Sequence, residues 1–240
     1  MKNSALFGAI RILTAIAIIV GVSWQIIDRL IHNVFRPTEY FAFFTILTSM
    51  FTAVVLVWCG ISLFANGTDS ERITKLRLSA TTAYVIVSVV YNALLRNDHS
   101  SAPQDAAVNY HWPTPPNEIL HVWAPLVVLL EFLIARFGPR LNLRQFWNVL
   151  TFPLVWLALT IVKGIATNWW PYWFLDPTDK GGVIGMVEYA AAISAFFILV
   201  GWGLALAHQR STNLANQDLD FHQPPIPEPN PAPLANRLGA

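Results

Sequence analysis

One cysteine, Cys59, stands in 240 residues, so the chain alone can build neither an intramolecular disulfide framework nor a thiolate metal site. In an apolar run such a thiol reads as a small hydrophobe. Charge is scarce too. Lys, Arg, Asp and Glu make up 12% of the chain and nearly cancel, to a formal net charge of +1, which excludes the basic surface of a nucleic-acid partner. The histidines show no HxxH or HExxH spacing and there is no CxxC pair, so no metal-ligand set is legible. A Gly-rich phosphate loop, a GxSxG elbow and an SxxK motif are also missing, and with them the sequence support for nucleotide cofactors and serine hydrolases. Solenoid-type internal repeats are absent.

What the chain has is apolar length. Hydrophobic residues make up 55% and the mean hydropathy is +0.47, far above the usual value for a soluble domain. Six runs, Leu6–Ile31, Tyr40–Phe64, Leu78–Leu95, Ile119–Phe137, Phe146–Ala166 and Val183–Ala207, have the length a helix needs to cross ~30 Å of hydrocarbon. The third is the weakest, because SATTAYVIVSVVYNALL carries hydroxyls and an Asn. The runs are continuous and do not alternate with period two, which predicts helices and not barrel strands. The first continues to SWQII without a small-residue cleavage site and reads as a retained helix, not a signal peptide. The expectation is therefore an all-α integral membrane protein, a six-transmembrane-helix bundle of the cell membrane, over residues 1–208. Residues 209–240 turn to QDLDFHQPPIPEPNPAPLANRLGA, a Pro-rich stretch with few apolar side chains to bury, and predict a disordered cytoplasmic tail.

Placing both termini in the cytoplasm puts Lys2, Arg11, Arg72, Lys75, Arg77, Arg136, Arg140, Arg144, Arg210 and Arg237 inside and Arg29, Arg36, Arg96, Lys163 and Lys180 outside. That is the bias of cytoplasmic loops. The topology sets depths: Thr45 lies about five residues, ~7–8 Å, below the outer face in the second helix. His121, Gln25, Asp28, Asn92, Lys163 and Glu188 fall near the same level. Ionisable groups in a span are costly and usually face a bundle interior or a wet cavity, so this layer is a candidate pocket. Plainer readings stand beside it: Lys163 snorkelling to headgroups, Asp28 and Arg29 at the interface, Glu188 joining helices, and His121 as a packing histidine. Thr48, three residues beyond Thr45, can share its wall. Glu131 lies nearer the inner leaflet and reads as structural or snorkelling. The loop NWWPYWFL reads as an interfacial aromatic belt or as a lid. What remains for chemistry is a hydroxyl and an imidazole at matching depth.

In order along six spans, these elements resemble the androgen-induced membrane proteins and their bacterial relatives, a family that includes intramembrane threonine hydrolases. The resemblance covers the helical core and not the tail. FFTILTS matches the Phe/Tyr-rich element that carries the family's threonine, which falls on Thr45. HVWAPLVVLLEF matches the histidine element and supplies His121, with Pro125 four residues on. NWWPYWFLDP is similar to a WxYPFL-like loop, with Trp173 where a proline is common, and Lys163-Gly164 is similar to a basic–Gly pair in bacterial members. The resemblance implies hydrolysis of lipid esters, with fatty acid esters of hydroxy fatty acids as the substrates of animal members. On that expectation Thr45 is the nucleophile and neutral His121 the general base, with Glu188 or Asp28 orienting the imidazole. Thr48, Asn92 and Lys163 are further polar groups at that level.

The competing class is a non-catalytic membrane protein, either a small-molecule carrier or a lipid-binding scaffold, with the polar layer as its binding site. A carrier of the repeat type pairs broken helices in its two halves; here Pro153 and Gly164 interrupt only the fifth span. The partners expected under either class are membrane lipids, and under the first a lipid ester; no cofactor, metal or nucleic acid is implied.

Overall fold

The computed structural model describes residues 2–96, 110–135, 137–141, 147, 149–179 and 181–221. The Pro-rich tail beyond Phe221 and most of the long loop expected between the third and fourth spans lie outside the described residues. The described chain is helical, without a strand. It runs as α1 (Lys2–Ile31), a short α2 (Pro37–Tyr40), α3 (Phe44–Asn66), α4 (Glu71–Val90, prolonged by a π-helical turn Tyr91–Leu95), α5 (Thr114–Glu118), a π-helical turn Ile119–Trp123, α6 (Ala124–Ile134), α7 (Thr151–Thr167), a 3₁₀ turn Trp173–Leu175 and α8 (Gly182–Phe221). Helix α5, its π turn and α6 form one continuous rod, Thr114–Ile134. Five helices, α1, α3, α4 with its π turn, the α5–α6 rod and α8, are long and apolar enough to cross a membrane. Helix α7, with 17 residues, is shorter than its apolar run because residues 149 and 150 form a 3₁₀ turn ahead of Pro153. Helix α8 continues to Phe221, past the His208 boundary read from the sequence.

Local chemistry explains the ends. Gly67 closes α3 in the left-handed region at φ 69° and returns its N–H to the Leu63 carbonyl. Ser70 opens α4 by accepting from the Ile73 N–H at 3.4 Å. Helices α1 and α3 meet through Gly8 and Gly60, where a Cβ at Gly60 would stand 2.8 Å from Ile12; small residues let helix backbones approach this way. Ala15, Ile18, Tyr84 and Leu120 are fully enclosed, whereas Ile165 and Ile184 are 73% and 75% exposed. An apolar outside is what a lipid-facing bundle presents.

One end of the bundle is closed by four charges. Arg11 of α1 donates to Asp69 through Nη1 and Nη2 at 2.8 and 2.9 Å and to Glu131 through Nε at 2.7 Å. Arg77 of α4 bonds the remaining sides, to Asp69 at 2.8 Å and Glu131 at 2.6 Å. None of the four side chains is more than 4% exposed. The ring is neutral, and each carboxylate receives charge-assisted bonds from both guanidinium groups. Arg11 also reaches the Cys59 carbonyl, at 3.2 Å. Two cations that the sequence assigns to the inner flank, Arg11 and Arg77, are therefore tied inside helices, Arg77 because α4 starts at Glu71 and not Leu78. Glu131 is structural, as one of its two readings has it. The Asp69 N–H donates to the Phe137 carbonyl at 2.7 Å, pinning the α3–α4 turn to the end of α6.

Candidate functional site

At the other end, the start of α3 differs from its expected position. Pro37 begins a separate turn, α2, and Phe41–Phe43 break it before α3 starts at Phe44. Thr45 therefore sits in the first turn of its helix, not a turn and a half inside. Helix α7 holds the break open: the Trp156 indole donates to the Ala42 carbonyl at 2.9 Å and Lys163 donates to the Thr38 carbonyl. These residues are seven apart, two turns on one face. Lys163 also lies 3.9 Å over the Trp169 ring, and Phe43 meets Trp112, Trp169 and Tyr172 edge-on. The Lys163 ammonium thus serves the chain break and the aromatic loop instead of the pocket.

The loop after α7 folds inward. Tyr172, Phe174 and Leu175 are buried, and together with Thr45 they wall a cavity of about 110 Å³. Rings join α7 to α3: Phe44 meets Phe152 at 5.4 Å and Trp156 at 4.9 Å, and Phe51 stacks on Phe152 at 5.4 Å. Leu154 of α7 and Ile198 of α8 also line the cavity and are 53% and 38% exposed, so its mouth opens sideways between two apolar helix faces. The polar side chains in its wall are Thr45, Tyr172, Ser194 and Trp156. Burial pushes the Tyr172 phenol's pKa up, and the nearby Thr45 hydroxyl and the Phe44 and Thr45 N–H groups pull it partly back.

Gly164 fixes the loop from below. A Cβ there would lie 2.5 Å from the Trp170 ring, so the indole rests on the bare helix backbone. Gly164→Ala is expected to push Trp170 out, cost ~1–3 kcal/mol and speed hydrogen exchange over residues 169–175. Gly203→Ala, at an exposed position with nothing within 4 Å, is the neutral control; equal exchange in both variants would refute the contact's importance.

His121 lies in the π turn of Ile119–Trp123, a helix distortion frequent at functional positions. Nδ1 is 2.9 Å from the Asn117 carbonyl, and a carbonyl accepts only, so Nδ1 carries the proton and Nε2 the lone pair. The ring stacks on Tyr91 at 3.9 Å, and the Tyr91 hydroxyl accepts from Asn117 at 2.6 Å. Tyr91 opens the other π turn, so the two distorted segments face each other. Among the described residues no hydrogen bond joins His121 to Thr45, and His121 does not line the cavity.

Of the polar residues that the sequence places in one layer, Thr45 alone lines this cavity. Thr48 is fully buried and its hydroxyl has no partner among the described residues. Asp28 accepts from Tyr110 at 2.6 Å. Asn92 is exposed and joins the Ser88 carbonyl and Arg96, each at 2.8 Å. Glu188 is exposed. Depth along a helix fixes height and not direction: the wall takes Ala190, Ile193, Ser194 and Phe197 of α8, and Glu188, two residues before Ala190, points about 200° away from it. The group that orients His121 is the Asn117 carbonyl. Tyr172 and Ser194 carry no sequence motif of their own, although Tyr172 lies in the loop that one reading makes a lid. Among the described residues no three His, Cys, Asp or Glu side chains gather to hold a metal ion. Compared with family models, curated proteins and solved structures, the chain matches none.

Proposed function

We infer that this chain is a six-span protein of the cell membrane with both termini in the cytoplasm, and that it hydrolyses lipid esters within the bilayer. The observation that carries the reading is the Thr45 hydroxyl in the wall of an apolar cavity that opens sideways between α7 and α8. An acyl chain enters from the lipid and leaves its ester beside the start of α3. Thr45 Oγ attacks the carbonyl carbon and its proton passes to the Nε2 lone pair of His121. The C–O bond to the alcohol then breaks, the alkoxide takes that proton, and water releases the fatty acid from Thr45. The His121 ring stacks on Tyr91, whose neighbour in sequence, Val90, lines the cavity. No hydrogen bond joins Thr45 to His121 among the described residues, and His121 does not line the cavity; this favours the second reading, a lipid-binding scaffold or carrier without chemistry.

Purified protein in detergent, incubated with a panel of lipid esters, separates the two. Fatty acid release with an acyl group transiently on the Thr45 peptide is the expected result; tight ester binding without release would select the scaffold. The topology has its own check. Reporters fused after residue 221 and within residues 97–109 are expected on opposite sides, the tail inside, since loop cations favour the cytoplasm. A tail found outside would reverse the orientation.

A further inference from the structure

The height of the cavity's mouth decides what can pass it. Lys163 of α7 and Glu188 of α8 are exposed, and ionisable side chains on the lipid side of a span keep their charge at the headgroup boundary. They mark that boundary on the two helices that frame the mouth. Of the described residues in the cavity wall, Leu154 and Ile198 alone are exposed. Leu154 lies ~13–14 Å below Lys163 along α7, and Ile198 lies ~15 Å below Glu188 along α8, at helical rise. Half the thickness of a ~30 Å hydrocarbon core is the same distance. Two helices therefore give one height, and the mouth opens at the middle of the bilayer.

The outer end of the cavity is roofed. Phe44, Thr45, Tyr172, Phe174 and Leu175 line it there and all are buried, while Trp170 seats the loop on Gly164. Thr45 lies under this roof. The Trp156 indole, which donates to the Ala42 carbonyl just ahead of α3, belongs to a residue ~10–11 Å below Lys163. The hydroxyl is inside the hydrocarbon layer, and the route to it starts at the midplane. Among the described residues of the wall none carries a charge, and the polar ones are Thr45, Tyr172, Ser194 and Trp156. A charged group brought in would lose its water and meet no counter-charge.

We propose that the substrate is an uncharged ester dissolved in the hydrocarbon layer, a long-chain acid joined to an alcohol without ionic groups, as in a wax ester. The proposal rests on the reading of Thr45 as nucleophile and names the lipid class it meets. A phospholipid keeps its ester level with the headgroups, on the far side of the roof, whereas a wax ester carries its ester to the depth of the mouth. The acyl–oxygen bond breaks, the alcohol takes the proton removed from Thr45, and water supplies the hydroxyl of the released acid. The alcohol is as free of charge as the ester and leaves by the same mouth.

Full-length protein in vesicles of diether phosphatidylcholine, a host with no ester to cleave, is given hexadecyl palmitate or dipalmitoylphosphatidylcholine at equal mole fraction. Palmitate release from the wax ester is expected to be at least ~10²-fold faster, the factor that insertion scales attach to one charge at the bilayer centre. Leu154→Trp and Ile198→Trp fill the mouth from lipid-facing positions and should each slow release from the wax ester. Leu159→Trp, on the same helix as Leu154, exposed and outside the wall, should not. Comparable rates on the two lipids, or no slowing by either mouth variant, overturns the proposal and leaves Thr45 as nucleophile. If the mouth variants do not fold, the ratio of the two lipids in the parent decides alone. A parent that cleaves some other ester and not the wax ester overturns the proposal too. A parent inert to every ester removes the reading of Thr45 and the proposal with it.

Discussion

Asp69→Asn is expected to unfold in detergent with a loss of about 3–5 kcal/mol, the range for breaking a buried ion pair from one side. Asp69 accepts both terminal nitrogens of Arg11 and one of Arg77 at 2.8–2.9 Å, with its side chain 0% exposed. Without its charge, two guanidinium groups share Glu131 alone, and the closed ring becomes a net cation with no water at hand. The penalty should shrink when Arg77→Met is added, since the double variant restores neutrality; that non-additivity is the mark of a coupled network. The exposed pair Glu71–Lys75, at 2.7 Å with Glu71 55% exposed, is the contrast, and Glu71→Ala should change stability by no more than ~0.5 kcal/mol. An Asp69→Asn protein within ~1 kcal/mol of the parent would show that water reaches the ring.

Thr45→Ala is expected to remove ester turnover by a factor on the order of 10⁴ or more, together with labelling by a fluorophosphonate, because on this reading Thr45 holds the acyl intermediate. Thr45→Ser keeps the oxygen and should retain part of the rate. His121→Ala should lose turnover as well, since an unassisted hydroxyl is a poor nucleophile at neutral pH. Thr48→Val is the internal control. Its hydroxyl is buried without a partner and lies outside the cavity wall, so an isosteric apolar group should leave the rate intact and be neutral or favourable to folding. A folded Thr45→Ala protein that cleaves esters at the parental rate would return the cavity to plain lipid binding.

How much of this was legible in the sequence depends on which physical signal each residue leaves. Helix existence follows from apolar length, and the five long helices fall where the runs are. Thr45 stands out because a hydroxyl among phenylalanines is locally odd, and it does line the cavity. The break ahead of α3 was not legible: Phe41, Ala42 and Phe43 are as apolar as the helix that follows, and the Trp156 indole that takes the Ala42 carbonyl comes 114 residues later. Glu188 shows the same limit from another side, since its height was readable and its direction was not. The charge ring hid for a third reason. Arg11 and Arg77 look like ordinary flanking cations until the fold brings Asp69 and Glu131 to them. Tyr172 is polar only at its tip, and its sequence neighbourhood advertises the rings.

The ring of charges also has a history during synthesis. Arg11 emerges 120 residues before Glu131 and 58 before Asp69. As the four side chains appear in turn, the running charge of the cluster goes from positive to zero, back to positive with Arg77, and to zero again only with Glu131. At ~5–20 residues per second, the wait from Arg11 to Glu131 lasts about 6–24 seconds. A nascent chain that stops after α4 therefore holds one guanidinium too many in the space between its helices. The first three long helices are not a resting point of assembly, and the arrival of α6 is the event that completes them.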